Sequence, residues 1–466
     1  MSEGQDTHMA SAADTEAMWV QVATQVRLCD GGDADLLREE EDGEMAEEEE
    51  EEEEEEGLQA AADSESESDG VQDDSDNDDG PLGDGIDDDD YDDYDDGYEE
   101  DGHPVVVATT VEVPDGFGGA NDIEARFPHD TDSLTKELTL GIIGRTISAP
   151  QHATDLIEQG ADPHVVPRLR QKGSGCAGIP YSLVHLAIDN KSDYAVPTIH
   201  ASDDGYERPV ALPHWSSDKL QSAILAALIN QGADPNATAD DEEDLVRPIR
   251  RAIASGDQTA FDVLTARPDI DLPAQDGAVM VMALPRPLSD PPPDYQEVLL
   301  SMFREVIARD PTLATERRFD ENLVHLAAVW AKGNYPQSFI NSYLDLITTN
   351  GADMTAASGG GWTPLHEAAL HDSLYVADSL CRKLPAADQI NRRTVLGETP
   401  LAIATGWLDH HTQELQDPET PEADKEECRA GSDKYKLIIA ACCGRGPTST
   451  PSPRPQRRTA VSASWC

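Results

Sequence analysis

From about residue 130 onward, apolar residues recur at three- and four-residue spacing in short runs divided by Gly, Pro, Asp and Asn. That spacing places apolar side chains on one face of a helix, so it predicts a succession of short helices. DYQEVLLSMFREVIARDP at 294–311 is one such run. Nothing similar marks the first part of the chain. Ten consecutive glutamates at 47–56 give way to a Ser/Asp/Glu stretch and then to DDDDYDDYDDGYEEDG at 87–102. So little apolar surface cannot offset the entropy of ordering the backbone, and residues 1–129 are predicted to stay disordered. The Pro/Ser/Thr/Arg-rich end, 444–466, reads as a second disordered tail.

Self-comparison organises the middle. GWTPLHEAAL at 361–370 and GETPLAIAT at 397–405 share a frame with NLVHLAA at 322–328, SLVHLAI at 182–188 and RPIRRAI at 247–253. A second phrase, Gly-Ala-Asp, recurs at 160–162, 232–234 and 351–353. These phrases resemble the ankyrin repeat, in which T-P-L-H-x-A opens the first of two helices within a period of about 33 residues. The resemblance covers about 135–443 and is strongest in the last three units. It implies an all-α solenoid of helix pairs with hairpin loops, and spacing divides 130–443 into about seven units, two of them degenerate. Inserts are expected near 190–217 and 409–432, and counting back from Gly160 starts the first unit at Thr139.

The motif has a physical rationale. Thr caps the helix and Pro occupies the first turn, where its missing N–H is harmless. Ala187, Ala252, Ala327, Ala368 and Ala404 must be small where helices of adjacent units cross. Gly160, Gly232 and Gly351 suit left-handed helix ends. His185, His325 and His366 are structural in the resemblance, bonding between units. Arg250 and Ala402 replace that histidine, so their units are expected to be less well tied to their neighbours.

The family's function is protein recognition by hairpin tips and by first-helix positions on the concave face. Residues at those positions here include Asp189, Asn190, Leu370 and His371, with Trp330 and Trp407 as anchors because exposed Trp dominates interface energetics. Trp362, in SGGGW, projects from a hairpin tip in this reading. A separate signal, Pro292-Pro293-Asp294-Tyr295, is similar to the P-P-x-Y ligand of WW domains. Its rival is a capping box, with Asp294 starting a helix and Glu297 three residues later.

Charge sharpens the picture of partners. The 466 residues carry a net charge of −61, and residues 1–102 hold 43 acids against Arg27 and Arg38. Direct nucleic acid binding and adhesion to anionic membranes are therefore disfavoured. Apolar runs fall short of the roughly 20 residues of a membrane span, and no secretory signal is legible, which points to an intracellular protein of the cytoplasm or nucleus. Seven scattered cysteines without C-x-x-C spacing argue against disulfide scaffolding and zinc. Ser64, Ser66 and Ser75, each with an acid three residues on, resemble acidophilic kinase sites, and Thr450-Pro451 and Ser452-Pro453 resemble proline-directed ones. No catalytic motif is present; GSGCAG at 173–178 lacks the preceding strand and the Lys of a phosphate loop and reads as a hairpin. The expected function is a non-enzymatic adaptor, without cofactor or metal. The alternative makes the acidic region the active element, capturing histones or other basic nuclear proteins while the repeats act as a localising scaffold.

Overall fold

The computed structural model describes residues 97–99, 101–108, 112–203, 206–241, 244–274, 278–331, 333–384 and 386–444. The acidic stretch before residue 97 and the tail after 444, with their phosphorylation motifs, lie outside the described residues. Helices come in pairs: α1 (Ser133–Ile143) with α2 (Pro150–Glu158), α3 (Leu183–Leu186) with α4 (Asp218–Asn230), and α5 (Pro248–Ala254) with α6 (Gln258–Thr265). After the unpaired α7 (Pro293–Arg309) come α8 (Leu323–Trp330) with α9 (Gln337–Thr349), α10 (Pro364–Leu370) with α11 (Leu374–Lys383), the short α12 (Ala387–Ile390), and α13 (Pro400–Gln416) with α14 (Glu422–Cys442).

Local chemistry starts and stops these helices. Asp132, Ser182, Ser217, Asn322 and Thr399 accept from backbone N–H groups two or three residues on, which satisfies donors that a helix start leaves open. Pro150, Pro248, Pro364 and Pro400 occupy the first helical turn. The three repeated glycines sit at φ of 107° to 118°, a region that excludes most side chains. Unit 1 departs from expectation: its cap is Asp132, seven residues before Thr139, and Thr139 lies buried within α1, donating to the Thr135 carbonyl at 2.9 Å. The 21-residue count-back failed because α1 runs for 11 residues and residues 144–149 separate it from α2.

Packing runs from unit to unit, with α2 against α4, α4 against α6, α8 against α10 and α10 against α13. The five alanines at the crossing position are all fully buried. The buried histidines tie units together by one recurring pattern. His185 Nδ1 lies 2.8 Å from Ser182 Oγ and Nε2 bonds the Val246 carbonyl at 2.8 Å. His325 reaches the Trp362 carbonyl and His366 the Glu398 carbonyl, each at 3.2 Å. In every case the acceptor belongs to the residue just before the next unit's capping position. Arg250 does the same work from the same position, donating from Nη2 to the Leu284 carbonyl at 3.2 Å. Its unit is thus tied onward, contrary to the sequence expectation.

Leu284 opens a unit that has lost its first helix. Pro285, Pro287, Pro291 and Pro292 remove backbone donors there, and 278–292 runs through turns before α7 begins. Buried tyrosines hold this coil instead: Tyr343 donates to the Met282 carbonyl at 2.9 Å and Tyr335 to the Pro285 carbonyl at 3.2 Å.

The structure is not all-α. A seven-stranded sheet assembles in the order β1 (His103–Pro104), β3 (Ile123–Arg126), β4 (Arg168–Gln171), β6 (His200–Asp203), β7 (Tyr206–Ala211) and β2 (Gly118–Gly119), with β5 (Ile179–Pro180) also paired to β4. The β4·β6 and β2·β7 pairs are parallel and the others antiparallel. GSGCAG forms the β4–β5 turn, the hairpin between the first two units. Further two-stranded hairpins, β8 (Ala239–Asp241) with β9 (Asp244–Val246) and β10 (Arg317–Arg318) with β11 (Glu321–Asn322), precede α5 and α8. The described residues between 97 and 129 are thus folded rather than disordered: Phe117, Ile123, Ala125 and Phe127 are buried, and Arg170 pairs with Glu124 at 2.7 Å. The 190–217 insert supplies β6 and β7. Within 409–432, α13 runs on to Gln416 and α14 starts at Glu422, so this segment is mostly helical. Among the described residues, no helix is long and apolar enough to cross a membrane.

Candidate functional site

The repeats leave a cavity of about 510 Å³ on the first-helix side of the array. Four segments wall it. Helix α5 contributes Arg250, Arg251 and Ala254, the insert contributes Val196 to Thr198 with His200 and Glu207, the proline-rich coil contributes Pro285, Arg286 and Leu288, and α8 ends there with Trp330. Backbone bonds fix the insert to the coil and to the end of α5. Leu288 N donates to the Ala195 carbonyl at 2.8 Å, and Lys191 N to the Ser255 carbonyl at 2.7 Å. Asn190 Nδ2 closes the insert loop on the Val196 carbonyl at 2.8 Å.

The lining is cationic and apolar together. The Arg251 guanidinium lies over the buried Tyr181 ring at 4.7 Å, and that of Arg286 over Trp330 at 4.4 Å. Among the described residues the lining includes Arg250, Arg251, Arg286 and Glu207, beside apolar surface from Val196, Pro197, Val279 and Leu288. Leu288 is 63% exposed.

The residues singled out from sequence are not gathered here. Trp330 lines the cavity but is buried beneath Arg286, so it is a floor and not a projecting anchor. Trp407, on α13, is 37% exposed and stacks on Tyr435 of α14 at 6.4 Å, with His410 and His411 against its ring. Trp362 is half-buried, its ring edge against His366. Leu370 is half-buried and its carbonyl accepts from Tyr435, while His371 ends α10 with Nε2 3.6 Å from Glu367.

Asp189 and Asn190 both spend their side chains on internal hydrogen bonds. Asp189 is buried and pairs with Arg145 Nη2 at 3.1 Å, and its other oxygen accepts from Trp215 N at 3.0 Å. Arg145 also donates to the carbonyls of Ile142, Leu186 and Ile188 and stacks on Trp215 at 4.7 Å. Burial lowers the guanidinium's pKa, and Asp189 opposes that shift. A second buried carboxylate, Asp257, accepts from Asp189 N at 2.9 Å and from Gln221, and burial pushes its pKa up. One charge cluster therefore clamps the first three units.

The WW-ligand reading is overturned. Pro292 is the cap of α7 and Pro293 its first residue, and Tyr295 is buried with its hydroxyl donating to the Ala254 carbonyl at 2.8 Å. The capping-box alternative is displaced as well, because the helix begins one residue before Asp294. Arg250, Arg251 and Arg286 were missed. The signal was present: an Arg-Arg pair in place of the motif histidine, in an acid-rich chain, was read only as erosion.

No family model and no curated protein matches the sequence. Solved structures similar to the chain include the human ASB11 ankyrin repeat domain, at 14% identity over 68% of this chain and 100% of that one, with a TM-score of 0.34. Another is the ankyrin repeat domain of Bcl-3, described as a unique member of the IkappaB protein family, at 14% identity over 59% of this chain and 95% of that one, TM-score 0.33. The repeat assignment rests on the chain's own geometry: capped helix pairs, hairpins between units, and a buried histidine bonding across each junction that keeps the motif.

Proposed function

We propose that this ankyrin-type array is a non-enzymatic recognition protein that holds a partner polypeptide in the groove between α5, the 190–217 insert, the proline-rich coil and α8. The observation that carries the reading is the cavity itself, walled by four segments, with the insert tied through its backbone to the coil and to the end of α5, and rimmed by the exposed Leu288. Loss of the fourth unit's first helix opens space that a regular repeat would fill. The insert, braced by the sheet, forms the opposite wall. Apolar surface flanked by fixed charges is what peptide recognition uses: burial supplies affinity and charge selects the partner. A secondary surface is the Trp407–Tyr435 pair on the last unit, where a large ring is already exposed.

The test is retention of partners by full-length protein against a Leu288→Arg variant, with washes at low and high salt. Loss from the variant of a partner that the wild type keeps at high salt supports the groove. Equal retention by both places recognition elsewhere. The net charge of residues 1–102 motivates a second reading, capture of basic proteins by that segment; partners bound in this way are released when salt shortens the Debye length to about 3 Å.

A further inference from the structure

We propose that Cys381 and Cys442 form a site of reversible oxidation, at which hydrogen peroxide converts the two thiols into a disulfide that joins α11 to α14. Their sulfurs lie 3.8 Å apart although the residues stand 61 positions apart in sequence. Cys381 sits in the last turn of α11 and Cys442 is the final residue of α14, and the two helices pack against each other. Rotation about side-chain torsions closes a gap of that size, whereas thiols on separated elements need backbone movement before they can bond. Both residues are half-buried. Neither is sealed in the core, so a molecule as small as peroxide reaches them, while the covering side chains keep out a second protein.

The surroundings of the pair set the order of events. The hydrogen bond shared with Cys381, and after it burial, push the Cys442 thiol well above its usual range. Cys442 therefore stays protonated and slow toward peroxide, because the thiolate is the nucleophile. Cys381 reacts first. Its thiolate sulfur bonds one peroxide oxygen, the O–O bond breaks and the departing hydroxide takes up a proton, leaving water and a sulfenic acid on Cys381. Cys442, already in contact, then gives up its proton and attacks the Cys381 sulfur; the S–O bond breaks and the hydroxide leaves with that proton as a second water. Two electrons pass from sulfur to peroxide oxygen, so two thiols and one peroxide give one disulfide and two waters. The bond ties the last helix pair to the pair before it. End units of a repeat array have a neighbour on one side only and open most readily, so a link at this place holds down the unit that carries Trp407 and Tyr435.

The experiment treats the reduced full chain with a small excess of hydrogen peroxide at neutral pH, alkylates the remaining thiols and maps the digest by mass spectrometry before and after dithiothreitol. The expected product is a dithiothreitol-sensitive pair of peptides carrying Cys381 and Cys442, formed at a yield independent of protein concentration. Cys443→Ser should give the same link, which separates Cys442 from its neighbour in sequence. Cys442→Ser should lose the link, and its Cys381 should run on to the sulfinic acid because no thiol traps the sulfenic acid. Amide hydrogen exchange in α14 should slow by about a hundredfold on oxidation of the wild type and stay unchanged in peroxide-treated Cys442→Ser. If both cysteines of the wild type remain open to alkylation, or if Cys381 links to Cys443 or to a second chain instead, the assignment of the pair is wrong. A Cys381–Cys442 link that leaves exchange in α14 unchanged overturns the tethering of the last unit.

Discussion

Asp189 separates two roles, binding and structure, and replacing it by Ala tests which one it has. Its side chain is fully buried, as is that of Arg145. Removing one partner of a buried ion pair leaves an uncompensated charge and costs about 3–5 kcal/mol. The same substitution orphans the Trp215 N–H, which donates to Asp189 Oδ2 at 3.0 Å, adding about 1–3 kcal/mol. Two features reduce the sum: Arg145 keeps its bonds to three carbonyls, and Lys191, one third exposed, gives water a path to the vacated site. The expected net loss is about 4 kcal/mol, near a thousandfold in the local folding equilibrium. Asp189→Asn keeps an acceptor for Trp215 N and should cost about half as much. A repeat array need not unfold in one step, so amide hydrogen exchange is the assay, read at Ile142–Ile147 and Leu183–Ile188 and compared with the last units, which should be unchanged. A loss below about 1 kcal/mol would refute the clamp. So would a variant of unchanged exchange that no longer captures a partner, which would restore Asp189 as a binding residue.

Other predictions concern the unit junctions and the groove's neighbours. Burial holds His185, His325 and His366 below the usual imidazole range, so the unfolded chain takes up protons first. Their contribution is whole above about pH 6.5 and falls below it, by up to about 1.4 kcal/mol per unit for each residue. Asp257 and Glu316, raised by burial, act in the opposite sense, so the check is a difference: His366→Asn should lose less stability than wild type between pH 7.5 and 6 in urea titrations. Tyr295→Phe removes a buried donor to the Ala254 carbonyl and should cost about 1 kcal/mol, while wild type shows no binding to an isolated WW domain by polarisation. Gly256→Ala, at φ 67° with a methyl placed 2.6 Å from the Tyr295 ring, should cost roughly 2–3 kcal/mol in thermal unfolding. Trp407→Ala should cost roughly 1–3 kcal/mol because its ring is mostly covered by Tyr435, His410 and His411, so a loss of partner retention reports binding when circular dichroism shows the variant still folded.

The repeat frame was legible because its chemistry is local. A Thr, Ser or Asn cap, a Pro in the first turn, a small Ala where helices cross and a Gly at a positive φ each act within a few residues, and identical spacing repeats them. The histidine's role followed from the resemblance, and its partners are the carbonyls just ahead of each next cap. Long-range pairing was not legible. DIEARF at 122–127 alternates as a strand does, yet its neighbours are β1, close by, and β4, more than forty residues away. Beside an acidic run it read as part of a disordered segment, and only the sheet shows where its apolar face goes. Tyr295 was exposed in a motif reading and buried in the fold because Gly256 and Ala254, some forty residues earlier, make its pocket. The groove is the extreme case. Its arginines come from α5 and from a coil more than thirty residues later, and its opposite wall from an insert that precedes both. Sequence spacing determined which segments become helices and how they repeat. Tertiary packing alone decided which charges meet, because the fields of Arg250, Arg251 and Arg286 add only after stacking brings the three side chains to one cavity.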